Sequence, residues 1–351
     1  MIFYILTNSE IDRVQWSALV QKSRTGTWFQ TPEAYDFFAS QPELFKAFAF
    51  AVSSKPELDS GAENEEKLRG VCVGYVTVEK NPIKQFFTRR AIIIGGPALA
   101  DDATEEEVTA LMTAVKENFQ LSTFNFQLAS PIYIETRNFN DYSRWKGAFE
   151  KAEFEYQPHL NFHVDCRDRE SMWNRLSENR KRQVRRAQNT DRYADRIQIT
   201  DIKEWYQILQ ELYRTKVKTP LFPLSFFWEA YKQNICRYLL VKHEGKVIGG
   251  SMLVQDEKSV YEWFECGLNK EYREQYPSVN ATYAGMEYAH MQGVARYDMM
   301  GAGEPNKPYG VRDFKAEFGG ELVEHGRWLF TAKPMMYKIG TLGVKILKKL
   351  S

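Results

Sequence analysis

Apolar residues along the chain change period several times, and each change marks an element. Ile11, Val14, Leu19 and Val20 have helical spacing. Thr31-Pro32-Glu33 supplies an N-cap, a proline at the first helical position and an acid, so a helix starts before Tyr35 and Phe38. Residues 44–52 and 70–79 are β-rich runs on either side of the polar stretch 53–67, which predicts a meander with a long loop. The run 90–95 (RAIIIG) is stopped by Gly-Gly-Pro, and Thr104-Glu-Glu-Glu107 is a capping box that opens a helix to Phe119. A strand over 130–135, a short helix over 141–150 and an extended segment over 154–164 complete this half.

The pattern then repeats. Residues 171–190 read as one very basic helix, 202–216 and 224–234 as two more, and 238–242, 247–255 and 260–268 as three strands. A helix over 281–292 and a strand over 297–300 follow. Helices, an antiparallel meander, then a helix and a strand occur twice, which predicts an α+β chain made of two copies of one unit. The expected limits are 1–163 and 164–334. The tail 335–351 has apolar residues at 335, 336, 339, 342, 346, 347 and 350 with lysines mostly opposite, an amphipathic helix suited to packing on the body or to resting on a membrane face.

Composition narrows the function classes. With 351 residues, 43% apolar and 26% charged, the chain has volume for two cores and excludes wholesale disorder. Lys plus Arg (47) nearly cancels Asp plus Glu (46), so any polyanion site must be local. Residues 175–196 supply one: eight Arg or Lys, namely Arg175, Arg180, Lys181, Arg182, Arg185, Arg186, Arg192 and Arg196, against Glu178, Asp191 and Asp195. On a single helix Arg175, Arg182 and Arg186 share a face that can meet a phosphate-rich donor, or stand as a solvated basic face. Cys72, Cys166, Cys236 and Cys266 show no zinc spacing and suit a reducing compartment. No secretory signal or membrane span is read, so a cytoplasmic protein is expected, with peripheral membrane contact through its tail as the one exception.

Common catalytic kits are missing. The five histidines form no HExxH, there is no GxSxG and no Walker A loop. Gly301-Ala-Gly303 follows a strand but leads into Glu-Pro-Asn-Lys-Pro, which does not open the helix a dinucleotide fingerprint needs.

The specific region is Tyr283 to Trp328: a helix, Gly293, a strand reaching Asp298, a glycine-rich turn, then Phe314-Lys315 and Phe318-Gly319-Gly320-Glu321. This order resembles the C-terminal signature of the Fem family of non-ribosomal peptidyl transferases. Trp28-Phe29-Gln30-Thr31-Pro32, the strand ending Gly-Gly-Pro97 and the Arg-rich stretch Leu176–Ala187 resemble further parts of the same pattern, so the likeness spans about residues 28–330. It implies two tandem GNAT-like units, each a mixed, largely antiparallel sheet flanked by helices.

The implied chemistry is aminolysis of an activated ester or thioester, with aminoacyl-tRNA, acyl-CoA or acyl carrier protein as donor, no permanently bound cofactor, and an amine of a cell-envelope precursor as acceptor. Lys315 is the candidate donor to the oxyanion, with Phe314 and Phe318 placed to stack on a terminal base. The same i, i+4 spacing also suits a core pair with the lysine solvated. Asp101, beside Asp102, is the candidate acceptor of the amine's proton, or else serves the macrodipole of the helix that follows. Asp298 ends the signature strand, and Tyr261, Trp263 and Glu265 alternate toward one face that can line a pocket. Where the family's first-unit helix carries a phosphate-holding lysine, this chain has Phe38, a departure that counts against a diphosphate acceptor. The loop Arg273–Asn280 lacks the glycines with which acetyl-CoA enzymes hold a pyrophosphate. The alternatives are an acyl-CoA-dependent N-acyltransferase and a non-catalytic RNA- or membrane-binding protein of the same fold.

Overall fold

The structure, a computed structural model, describes residues 2–55, 67–79, 81, 85, 88–121, 130–187 and 199–341. It is α+β and divides into two compact units: Met1–Pro158 with His325–Ser351, and His159–Glu324.

Unit 1 is built on a mixed sheet in the order β1 (Ile2–Thr7), β2 (Phe45–Lys55), β3 (Lys67–Thr77), β4 (Ala91–Gly95), β6 (Ile134–Asn138), β14 (Arg327–Phe330), β7 (Glu155–Gln157), with β5 (Ala98–Leu99) beside β3. Among the described residues only β4 and β6 run parallel, and they stay in register over all five residues of each. Helices start where their caps dictate. Asp12 accepts from Gln15 N at 2.8 Å ahead of α1 (Arg13–Lys22), and Thr31 caps α2 (Pro32–Ala39). Thr104 and Glu107 satisfy each other's backbone N–H groups ahead of α3 (Glu105–Leu121). Together with α4 (Lys146–Lys151), α3 covers Ile93, Ile134, Phe149 and Phe154.

Unit 2 repeats the plan in the order β13 (Glu321–Glu324), β8 (Leu160–Asp165), β12 (Arg296–Gly301), β11 (Ser259–Gly267), β10 (Lys246–Gln255), β9 (Arg237–His243). Here, among the described residues, only β11 and β12 are parallel. Its helices are α5 (Arg169–Arg175), α6 (Glu178–Arg186), α7 (Ile199–Leu212), α8 (Leu224–Lys232), α9 (Pro277–Met291) and α10 (Gly310–Ala316), and its core gathers Phe162, Val164, Met172, Tyr283, Met286, Tyr297 and Phe318.

Four readings of the sequence change. The first cut falls at Pro158/His159 rather than 163/164, and unit 2 ends at Glu324 rather than 334, because β14 crosses back to pair with β6 and β7. Its inward residue Trp328 stacks on Phe149 at 4.8 Å. The single helix expected over 171–190 is two: Leu176 is extended, and Ser177 accepts from Arg180 N at 3.1 Å to start α6 afresh. Residues 188–198, and with them Arg192 and Arg196, lie outside the described residues, as do 56–66 of the expected loop. Helix α9 begins four residues before the expected position, with Pro277 at its first turn. Of the tail, residues 334–341 form a helix, α11, with Met335 and Ile339 exposed, and 342–351 lie outside the described residues. All four cysteines are free and buried. No helix among the described residues is long and apolar enough to cross a membrane.

Candidate functional site

The site is set by two irregularities in the sheet of unit 2. Parallel pairing of β11 with β12 stops at Tyr261 and Asp298, although β11 runs on to Gly267 and β12 to Gly301. The strands part there, and the carbonyls at the end of β12 lose the partner a continued ladder would supply. The second irregularity is a β-bulge: Met252 pairs with Phe264 but Leu253 pairs with Glu262, so Trp263 is the extra residue.

The bulge reverses the side-chain alternation. Glu262 and Glu265 both turn toward α9, whereas Trp263 and Phe264 pack with Phe226 and Phe227 of α8. Tyr261, one residue before Glu262, faces the other side and donates to Asp256 Oδ2 at 2.9 Å. The expected common face of Tyr261, Trp263 and Glu265 is therefore not formed, because strict alternation ends at the bulge.

Lys315 closes the parted end. Its ammonium is buried and donates to three backbone carbonyls of β12, those of Met299, Met300 (3.4 Å) and Gly301 (2.8 Å). Met300 is held left-handed (φ 61°) and donates its N–H to Asp298 Oδ1 at 2.7 Å, which turns the strand end toward the lysine. Burial pulls the Lys315 pKa down, against the opposing charges of Glu262, Asp298 and Glu265. Of the two readings of Phe314, Lys315 and Phe318, the solvated lysine is excluded.

Glu262 is buried, and one oxygen, Oε1, accepts from the hydroxyls of Ser251 (3.2 Å), Thr282 (2.8 Å) and Tyr297 (2.9 Å). Burial raises its pKa while the Lys315 charge and those hydroxyls oppose the rise. Glu265 is less well served: Ser278 reaches it, but its Oε1 has no hydrogen-bond partner among the described residues. Burial first, and then the nearby Glu262, push its carboxyl up to about 8. Asp298 is fully buried with its Oδ2 3.1 Å from His163 Nε2, and that partner keeps its pKa low despite burial. Gly285 makes the Tyr297 contact possible, since a Cβ there would lie 2.3 Å from the Tyr297 hydroxyl.

The remaining sequence candidates lie elsewhere. The ring faces of Phe314 and Phe318 are taken by the buried Arg180 guanidinium, 4.5 and 4.9 Å from the centroids, so they hold an arginine rather than a base. Arg175 is on α5 and bonds the Asp165 carbonyl, while Arg182 and Arg186 are on α6, where Arg182 donates to Asn179 (2.8 Å) and Arg186 pairs loosely with Glu274 (3.6 Å). The helix break at Ser177 removes the expected three-arginine face. Asp101 is exposed in unit 1 and paired with Arg24 at 3.0 Å; Asp102 pairs with Arg69 at 2.9 Å. Sequence reasoning passed over Glu262 and Tyr297 and counted Arg180 only within the basic patch, and the signal for the first was a glutamate inside the apolar run Val260–Phe264. Among the described residues no cluster of three or more metal-ligating side chains forms.

Comparison with known proteins agrees with this architecture. Residues 232–345 match the sequence model of the FemAB family. The solved structure of FemX superposes with a TM-score of 0.66 at 14% identity, covering 97% of this chain and 99% of that one. A tandem GNAT protein from the clavulanic acid biosynthesis pathway gives 0.55 at 10% identity over 94% and 98%. L-PGS from Bacillus licheniformis gives 0.52 at 11% identity over 94% and 96%. No curated protein matches the sequence. The FemAB segment contains β9 to β12, both buried glutamates and Lys315, and the chain shares the tandem GNAT-like fold of these structures.

Proposed function

We propose that the protein is a peptidyl or acyl transferase of cell-wall synthesis, moving an aminoacyl group from an ester donor onto the amine of an envelope precursor. The observation that carries this reading is the buried Lys315 ammonium at the parted end of β11 and β12. When the amine nitrogen attacks the ester carbonyl, the C–N bond forms and the carbonyl electron pair moves onto oxygen. An ammonium in a poorly solvated site stabilises that charge strongly. Lys315 spends two hydrogens on firm carbonyl bonds, and the third, held only by the long 3.4 Å bond to Met300 O, can turn to the oxyanion.

Glu265 suits the proton. A carboxylate with a vacant oxygen takes the proton the amine loses and returns it to the leaving oxygen when the intermediate collapses, and a group titrating near 8 is matched to both transfers.

The start of α9 favours an ester over acyl-CoA. Pro277 has no N–H, Ser278 N is bonded to Asn269 Oδ1 at 3.1 Å and Asn280 N to the Tyr276 carbonyl, so little of the helix N-terminus remains for a pyrophosphate. The exposed Arg182 and Arg186 suit the phosphates of a tRNA donor. The test is a donor screen on the purified full chain, comparing charged tRNA, acyl-CoA and acylated carrier protein. Transfer from charged tRNA is expected, and Lys315→Ala should lower it about 100- to 1000-fold. Transfer from acyl-CoA alone, or an unimpaired variant, would overturn the reading.

A further inference from the structure

Three successive carbonyls, those of Met299, Met300 and Gly301, accept from the one Lys315 ammonium. An extended strand cannot offer that arrangement, because its carbonyls point alternately to opposite sides. The end of β12 is not extended. Asp298 pairs with His163 and Gly301 with Asn161, three steps against two, so the strand carries an extra residue opposite β8. Met300 takes the left-handed conformation at φ 61°, a region costly to any residue with a Cβ and kept only where the surroundings enforce it.

Asp298 is the enforcing group. Its Oδ1 accepts the Met300 N–H at 2.7 Å, two residues on, which closes the turn. Its Oδ2 lies 3.1 Å from Nε2 of His163, its direct partner on β8, so the carboxylate is pinned from the neighbouring strand. Burial would raise the Asp298 pKa, but His163 and then Arg296 hold it down. Glu321 pairs with His163 from the other side, across β13. The Asp298 side chain has no exposed surface and both its oxygens face protein groups, so it meets no substrate itself.

We propose that Asp298, fixed by His163, is a positioning residue: it holds Met300 left-handed so that three carbonyls converge and set the Lys315 ammonium at the parted strand end. Its part in catalysis rests on the reading of Lys315 as the donor to the oxyanion. The placement of the ammonium does not.

Acetylation of the folded full chain by acetic anhydride, read by peptide mass spectrometry with the exposed Lys146 as internal reference, measures that placement without any substrate. Asp298→Ala should speed labelling of Lys315 about 10- to 100-fold, the strength of the charged hydrogen bonds released. Asp298→Asn keeps an oxygen for the Met300 N–H and should stay near wild type. Glycine enters the left-handed region freely, so adding Met300→Gly to the Asp298→Ala chain should restore slow labelling. Met300 is only half-buried, and Met300→Ile, which opposes the turn, should speed labelling even if Asp298→Ala does not fold. With a donor that supports transfer, Asp298→Ala should lower kcat about 10- to 100-fold and leave KM within about twofold, and Met300→Gly should recover kcat. Labelling of Lys315 that stays at the wild-type rate in Asp298→Ala and Met300→Ile, or no recovery with Met300→Gly, would overturn the proposal. The expected labelling together with no transfer from any donor would remove the proposed function and support the placement.

Discussion

Replacing Glu265 with glutamine keeps the side-chain shape and removes its titration. In the fold the carboxyl is pushed up to about 8, mainly by burial and then by Glu262, from an ordinary value of 4.5 that the unfolded chain recovers. The sign follows from which state loses its proton first. The unfolded chain ionises near 4.5 while the folded one stays protonated, so the stability tied to this proton is complete below that pH and is lost as pH rises through about 8. At 1.36 kcal/mol per pH unit the whole interval amounts to about 5 kcal/mol. Glu262 titrates in the same field and shares the effect, so the difference between wild type and Glu265→Gln should grow by about 2 to 5 kcal/mol between pH 5 and 8. Urea denaturation across that range measures it, with the variant gaining on the wild type as pH rises. The same proton should appear in the kinetics: kcat/KM of the wild type climbs toward pH 8 as the carboxylate forms, and the variant loses that limb with about 100-fold or more in rate. Parallel stability curves would refute the claim that this acid is held protonated, whatever the rates do.

Gly285→Ala puts a methyl where the Tyr297 hydroxyl lies and should break its bond to Glu262, costing about 1 to 3 kcal/mol by chemical denaturation, whereas Tyr297→Phe costs the bond without the clash. If charged tRNA is the donor, Arg182→Gln and Arg186→Gln should each reduce the slope of log affinity against log salt by about 0.7 to 0.9, measured by filter binding.

Much of the fold was legible because its elements carry strong local signals. The strands expected over 238–242, 247–255 and 260–268 match β9, β10 and β11 closely, each being an apolar run bounded by turns. The capping residues at Asp12, Thr31 and Thr104 act through bonds only a few residues long, so the sequence around them determines the helix starts. Pairing between distant segments was not legible. Nothing in Arg327–Phe330 tells whether it extends the nearer sheet or crosses to β6, since an alternating strand suits either. Nor does a run such as Val260–Cys266 reveal its bulge, which depends on how β10 pairs with it, and the facing of Glu262 and Glu265 follows from that one extra residue. Lys315 was found through its motif, whereas the carbonyls that hold it come from a strand end 14 to 16 residues away.

The two units answer the same topological problem differently, and the difference bears on the proposed chemistry. Each sheet has one parallel pair formed by a strand, a crossing helix and a returning strand. In unit 1 that pair is closed along its whole length, and the polar residues nearest it, Glu135 and Arg137, lie on its face. In unit 2 three residue pairs form and the strands then part, which leaves backbone groups without a ladder in the interior of the fold. Such groups are costly unless met. Lys315 meets them on the β12 side, and in doing so it brings a charge into the core that calls for the buried acids around it. A lysine present only to cap carbonyls would be replaceable by a neutral donor, and a paired strand would serve better still. The parted ladder, the buried cation and the acid with a vacant oxygen make sense together if the opening exists to admit a carbonyl group and the charge exists to meet the oxygen it becomes.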